Sequence, residues 1–184
     1  HEDGARIKSA GEPVTVTVKD AGTTPKEESQ RWLIGEDSSA FGGAIRDMWN
    51  PTCYGDPGKV TDAEYHCDAS DGGGVHANSG VPNRAFSLMV DGGTYNDVKV
   101  AGIGIDKAAH VHWRAQSHYL TPVSDFTDHA DALEASCTDL VGTEVDKLST
   151  EDGATPGSAG RITAYDCAQV AAAVSATELR TEPV

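Results

Sequence analysis

Two apolar stripes at helical spacing, separated by Thr121-Pro122, constrain this chain most. Ile105, Ala108, Ala109, His112, Trp113 and Gln116 recur at i, i+3, i+4, i+7 and so share one helix face. Phe126, Ala130, Leu133, Cys137, Leu140 and Val141 do the same in the next stretch. Asp106 suits the positive end of the first helix, Ser124 is the expected cap of the second, and Gly142 suits its stop. Thr163-Ala164-Tyr165-Asp166 has the form of a capping box and predicts a last helix to about Arg180. Pro82 to Val90 predicts another, because proline is tolerated in a first turn, with Asp91-Gly92-Gly93 to end it. The expected fold is mainly α.

The amino-terminal part reads differently. Val14 to Val18 alternates β-branched residues at period two and predicts a strand, bounded by Pro13 and Asp20-Ala21-Gly22. Thr23 to Gln30 is polar and is expected to be a loop. Residues 1–30 are therefore set apart as a short, irregular, β-containing segment, and 31–184 as the helical domain. Within the latter, Ala40 to Met48 is expected to form a short helix around Ile45, and Thr94 to Val100 a hairpin around Asn96-Asp97. Asn50 to Gly74, rich in Gly, Pro and Asp, reads as a long structured loop, and such loops inside compact domains usually carry function. Thr143 to Ala159 reads as a polar loop.

Composition narrows the partners. A chain of 184 residues can bury a core without staples. With 14 Lys and Arg against 29 Asp and Glu, the formal charge is −15, which repels nucleic acid and anionic membrane. No apolar run approaches the ~20 residues of a membrane span. His1-Glu2-Asp3-Gly4 does not read as a signal peptide. Four cysteines allow three connectivities. Cys53–Cys67 and Cys137–Cys167 are the favoured pairs, since each closes a turn-rich loop between ordered elements; four buried thiols are the competing arrangement. Disulfides imply an oxidising compartment, hence secretion or a periplasm.

The chemistry gathers near the middle of the chain. In Asp71-Gly72-Gly73-Gly74-Val75-His76, an acid precedes a histidine across three glycines, which let backbone turn tightly and approach a ligand closely. An aspartate can hold an imidazole in one tautomer and favour its cationic, donating form. Arg46 can bind a carbonyl or carboxylate through two N–H groups. Taken singly, a histidine or an arginine on a surface is ordinary.

The surroundings change that. Trp32-Leu33-Ile34-Gly35-Glu36-Asp37, Ile45-Arg46-Asp47-Met48 with Asn50-Pro51, Tyr54-Gly55-Asp56-Pro57 and Gly73-Gly74-Val75-His76-Ala77-Asn78-Ser79-Gly80 occur in series. Gly102-Ile103-Gly104-Ile105-Asp106-Lys107 and Tyr119-Leu120-Thr121-Pro122-Val123-Ser124-Asp125-Phe126 continue it. From about Trp32 to Gly142 this series resembles the carboxy-terminal half of the thermolysin family of secreted zinc metalloendopeptidases. The resemblance implies a helical carboxy-terminal lobe acting on peptide or protein substrates. It makes His76 the donor to the oxyanion of the tetrahedral intermediate and Asp71 the acid that orients it. It makes Arg46 the ligand of the substrate carbonyl just past the scissile bond, with Ile45 and Ile34 lining the neighbouring apolar pocket. Preorganised donors of this kind contribute a few kcal/mol each.

The departures are as informative. The family's zinc site is H-E-x-x-H with a downstream glutamate in an Asn-Glu context. Here His1-Glu2 is the sole His-Glu pair, Ala5 stands where the second histidine belongs, and no Asn-Glu pair exists. Zinc and the general-base glutamate are thus expected from outside this chain, on a catalytic amino-terminal lobe, and the chain alone is expected to be inactive. His110 and His112 are two apart on a helix and face different ways; with His66, His118 and His129 they suggest no replacement zinc site. Around the family's calcium site Glu36 is kept, but Arg31 and Leu33 replace carboxylates. That argues against a double calcium site and leaves a weaker single one at Glu36 and Asp37. Three functions remain open: a substrate-binding lobe of a secreted endopeptidase, a non-catalytic module that binds peptides or a protease, and a structural extracellular domain.

Overall fold

The computed structural model describes residues 31–153 and 155–183, together with the backbone of two strands. These strands, β1 (Glu2–Ser9) and β2 (Glu12–Lys19), pair antiparallel, with Ala5 opposite Val16. The expected strand around Val14–Val18 is thus present as β2. The expected loop at 23–30, and with it the expected border at residue 30, lies outside the described residues.

The chain divides into two compact units, the second spanning Leu88–Glu182 and the first comprising the rest. In the first unit, β3 (Leu33–Ile34) pairs antiparallel with β4 (Arg46–Asp47). This corrects the helix expected over Ala40–Met48. Gly42 and Gly43 adopt φ of 73° and 145°, which no helix accommodates, and they return the chain beside β3 instead. A short helical turn, Pro51–Tyr54, follows, and Asp47 helps to launch it by accepting from the N–H groups of Trp49 and Asn50 at 2.8 and 3.0 Å. Helix α1 (Gly80–Asp91) begins in the first unit and ends in the second. Its Val81 and Ala85 are buried, and Phe86 meets the edge of Trp32 at a centroid distance of 5.9 Å. Arg84 lies with its guanidinium 4.4 Å over the ring of buried Trp49 and donates to the Trp49 carbonyl.

In the second unit α1 ends where Gly92 takes φ 76° and opens a hairpin of β5 (Gly92–Tyr95) and β6 (Val98–Ala101). Its turn residues Asn96 and Asp97 both have positive φ, the turn expected at that pair. Helices α2 (Ile105–His118) and α3 (Phe126–Leu140) pack together, and α4 (Ala164–Ala176) packs on α3 and β6. Leu88, Met89, Val111, Leu133, Ile162, Val170 and Leu179 are almost wholly buried. Burial of each such side chain stabilises by about 1.5–3 kcal/mol. The polar stretch after α3 contains a second hairpin, β7 (Glu144–Asp146) with β8 (Ser158–Arg161), where only a loop was expected.

The helices adjust two sequence expectations. The buried face of α2 is Ala108, Val111 and Ala115, whereas Ile105 and Trp113 are 44% and 67% exposed. The stripe is therefore rotated from the one read at Ile105–Trp113, because small alanines let α3 approach closely. The cap of α3 is Asp125, whose side chain accepts from the Asp128 N–H and whose own N–H donates to the Asp128 carboxylate, while Ser124 instead accepts from the Thr121 N–H. The box predicted at Thr163 and Asp166 is formed, and Lys107 adds an ion pair to Asp166 at 2.9 Å. No helix among the described residues is long and apolar enough to cross a membrane.

Candidate active-site groups

The site is assembled from three pieces of the first unit: the β3–β4 pair, the turn after Pro51, and the segment from Asp71 to Gly80. Side chains alternate along a strand, so β4 buries Asp47 and turns Arg46 to the opposite face. Ile34 is the register partner of Arg46, and Ile45 donates its N–H to the Ile34 carbonyl at 2.9 Å. Ile34 and Ile45 are 38% and 40% exposed, so the arginine is flanked by open apolar surface.

The glycine run places the acid and the histidine. Asp71, Gly72, Gly73 and Gly74 all have positive φ, a sequence of left-handed residues that glycine supports. Gly74 is also needed for space, since a Cβ there would lie 2.5 Å from the Asn78 amide nitrogen. That amide clamps the segment: Asn78 accepts from the His66 N–H and donates to the His66 carbonyl, both at 2.9 Å. The tight turn brings the Asp71 carboxylate onto His76. One oxygen meets His76 Nδ1 at 2.5 Å, and the other accepts the N–H groups of His76 and Ala77 at 2.9 and 3.2 Å. These hydrogen bonds, led by the imidazole, lower the Asp71 pKa to about 2. The ionised carboxylate only accepts, so Nδ1 carries the proton and Nε2 is the outward nitrogen of an exposed ring.

Arg46 reaches the same segment. Its Nη1 donates to the His76 carbonyl at 2.5 Å and to the Ser79 hydroxyl, and lies 3.9 Å from the Asp56 carboxylate. Asp56 is carried on the turn that packs against Gly80, where a Cβ would come within 2.3 Å of the Pro57 carbonyl oxygen. Burial pushes the Asp56 carboxyl up, with Asp71 adding to it and Arg46 and His66 opposing. The structure therefore brings together Asp71, His76 and Arg46, with Ile34 and Ile45 alongside Arg46. Asp56, Asn78 and Ser79 are additional members. They lie inside the sequence segments quoted above, but an arginine–serine pairing across 33 residues has no signature in local spacing.

The remaining candidates fall elsewhere. Glu36 and Asp37 lie exposed in the turn after β3. Among the described residues no group of three or more His, Cys, Asp and Glu side chains could hold a metal ion. The residues described thus do not fit zinc, and nothing in their arrangement supports calcium at Glu36 and Asp37. Cys137 on α3 and Cys167 on α4 form a disulfide with a Cα–Cα distance of 5.4 Å, as expected. The second expected bridge is corrected: Cys53, half-buried, and Cys67, exposed, are thiols. Cys53 is fixed in the Pro51–Tyr54 turn, while Cys67 follows the residue that Asn78 clamps, so the two are anchored independently.

The chain has known relatives. The alpha-helical domain of thermolysin metallopeptidases, as a family model, matches residues 4–154, and the chain belongs to that family. It is 40% identical over 118 residues to a bacillolysin from Brevibacillus brevis, covering 62% of this chain and 22% of the relative. It is 36% identical over 165 residues to a zinc metalloproteinase from Renibacterium salmoninarum, covering 86% of this chain and 27% of the relative. A thermolysin from Alicyclobacillus acidocaldarius subsp. acidocaldarius is 38% identical over 122 residues, with 65% and 22% covered. The chain thus spans about a quarter of the length of these relatives. It is a carboxy-terminal domain of the thermolysin-like kind, and the family match begins well before Trp32.

Proposed function

We propose that this chain is the substrate-binding lobe of a secreted thermolysin-like endopeptidase, supplying oxyanion donation and substrate positioning but not the metal. The observation that carries this reading is the Asp71–His76–Arg46 arrangement, in which the imidazole is bonded to Asp71 and the guanidinium of Arg46, on β4, is bonded to the His76 carbonyl. Asp71 fixes the imidazole so that Nε2 faces outward. Once the ring is protonated, Nε2 donates to an oxygen that gains negative charge during peptide-bond cleavage. Because Asp71 is already ionised and paired, no reorganisation is needed at that moment. Arg46 binds the carbonyl of the residue after the scissile bond, and exposed Ile34 and Ile45 favour an apolar side chain there. Zinc belongs to the parent reaction and its ligands to a separate amino-terminal lobe. Secretion is supported by the Cys137–Cys167 disulfide.

A second reading is a non-catalytic module that binds peptides or an intact protease. It is favoured by the lack of a metal-binding cluster among the described residues. Two measurements separate these functions. In the zinc-bearing protease, His76→Ala lowers kcat about 10²–10³-fold with KM nearly unchanged, the size of one lost oxyanion donor. A change confined to KM contradicts the catalytic role. The chain by itself hydrolyses no casein with added zinc, and zinc-dependent turnover by the pure chain overturns the assignment of the metal to another lobe.

A further inference from the structure

We infer that Ser79 is a positioning residue whose hydroxyl fastens the Arg46 guanidinium to the His76 carbonyl, so that both donors of the site are set as one unit. The inference rests on the reading of Arg46 and His76 as substrate-facing groups. Nη1 of Arg46 has two protons; one goes to the His76 carbonyl at 2.5 Å and the other to Ser79 Oγ. The single Ser79 proton goes to the same His76 carbonyl at 2.6 Å. The three groups close a ring in which each proton has one acceptor and the carbonyl uses both lone pairs.

The ring decides which face of the arginine meets substrate. Nη1 is committed inside the fold, and among the described residues Nη2 and Nε have no hydrogen-bond partner. Those two N–H groups run parallel, the edge that grips a carbonyl or carboxylate in two-point fashion. Asp56 supplies attractive charge at 3.9 Å, which is too long for a hydrogen bond, so it does not set the orientation. Ser79 does, and it also ties the arginine to the backbone atom next to the His76 ring. A shift of the guanidinium therefore moves the histidine segment with it.

The test is calorimetric titration of the full chain with leucyl-alanine amide, which offers an apolar side chain and the adjoining carbonyl. Ser79→Ala is expected to weaken binding roughly three- to tenfold, the net worth of one hydrogen bond. Ser79→Thr, which keeps the hydroxyl, is expected to stay within about twofold of the parent chain. In an Arg46→Ala background, Ser79→Ala is expected to have no further effect, because residues acting through one another are non-additive. Equal losses with and without Arg46, or no loss in Ser79→Ala, overturn the inference. If Arg46→Ala leaves this peptide's affinity unchanged, the reading of Arg46 as substrate ligand fails instead. The inference is then decided by exchange of the Arg46 Nη protons in the ligand-free chain: faster exchange in Ser79→Ala supports it, and an unchanged rate overturns it.

Discussion

The Asp71 carboxylate lies 2.5 Å from His76 Nδ1 and also receives the backbone N–H of His76, so one acid fixes both the ring and the backbone that bears it. The first prediction concerns acid. The folded-state pKa of Asp71 is about 2, against ~3.9 for a free aspartate. A depressed carboxylate contributes stability that is present above the unfolded value and is lost as pH falls through the folded one. The hydrogen-bonded Nδ1 proton of His76 should therefore persist in NMR spectra below pH 4 and vanish towards pH 2. Its loss near pH 5 contradicts the pairing.

His112 predicts an acid response of the same sign in a higher pH window. Burial, with His129 as a neighbouring like charge, lowers its pKa to about 3, and burial also lowers His129. The two rings, one on α2 and one on α3, stand with centroids 5.8 Å apart. A histidine neutral in the fold and titrating near 6.5 when unfolded makes the unfolded state bind more protons between those values. Stability should fall as pH drops from about 6.5 towards 3, by up to about 1.4 kcal/mol per pH unit per group. In urea titrations across that window, His112→Phe should flatten the slope, with His129 retaining part of it. An unchanged slope contradicts the account.

Reduction of Cys137–Cys167 should cost about 2–4 kcal/mol, because the bridge closes a separation of 30 residues between α3 and α4. Urea midpoints with and without reductant measure this. The native chain should also present two thiols, with exposed Cys67 alkylated faster than half-buried Cys53. A count of none contradicts the thiol assignment.

Gly80→Ala should destabilise by about 1–3 kcal/mol, since its Cβ would meet the Pro57 carbonyl at 2.3 Å and Pro51 Cβ at 3.1 Å. It should also loosen the turn that carries Asp56. Gly73→Ala meets open space but sits at φ 88°, so its cost should be backbone strain alone, about 1–2 kcal/mol. A Gly80→Ala cost below about 1 kcal/mol contradicts the packing described at Gly80.

Much of this was legible in the sequence, for reasons that differ by element. The capping box at Thr163–Asp166 and the hairpin turn at Asn96-Asp97 are local chemistry, decided within four residues, and both are present. Asp71 and His76 are five apart and their contact is likewise local. Arg46 lies on β4 and not on the helix expected over Ala40–Met48, which the nearby apolar residues favour. Gly42 and Gly43 overrode that propensity and made a strand return. The buried face of α2 differs from the expected one because exposed Trp113 counts as apolar in a periodicity, while buried Ala115 carries little signal. Ser79 and Asp56 became visible only when the fold joined stretches far apart in the chain.

The central claim is that Arg46, held beside His76, is a peptide-binding group. Titration of leucyl-alanine amide into the chain, followed through the Arg46 side-chain and His76 ring resonances, tests it most directly. Saturable shifts of both groups, with Arg46→Ala weakening binding by about 10–100-fold, are the predicted result for a lost charged hydrogen bond. No shift at either residue, or binding that Arg46→Ala leaves intact, would contradict it.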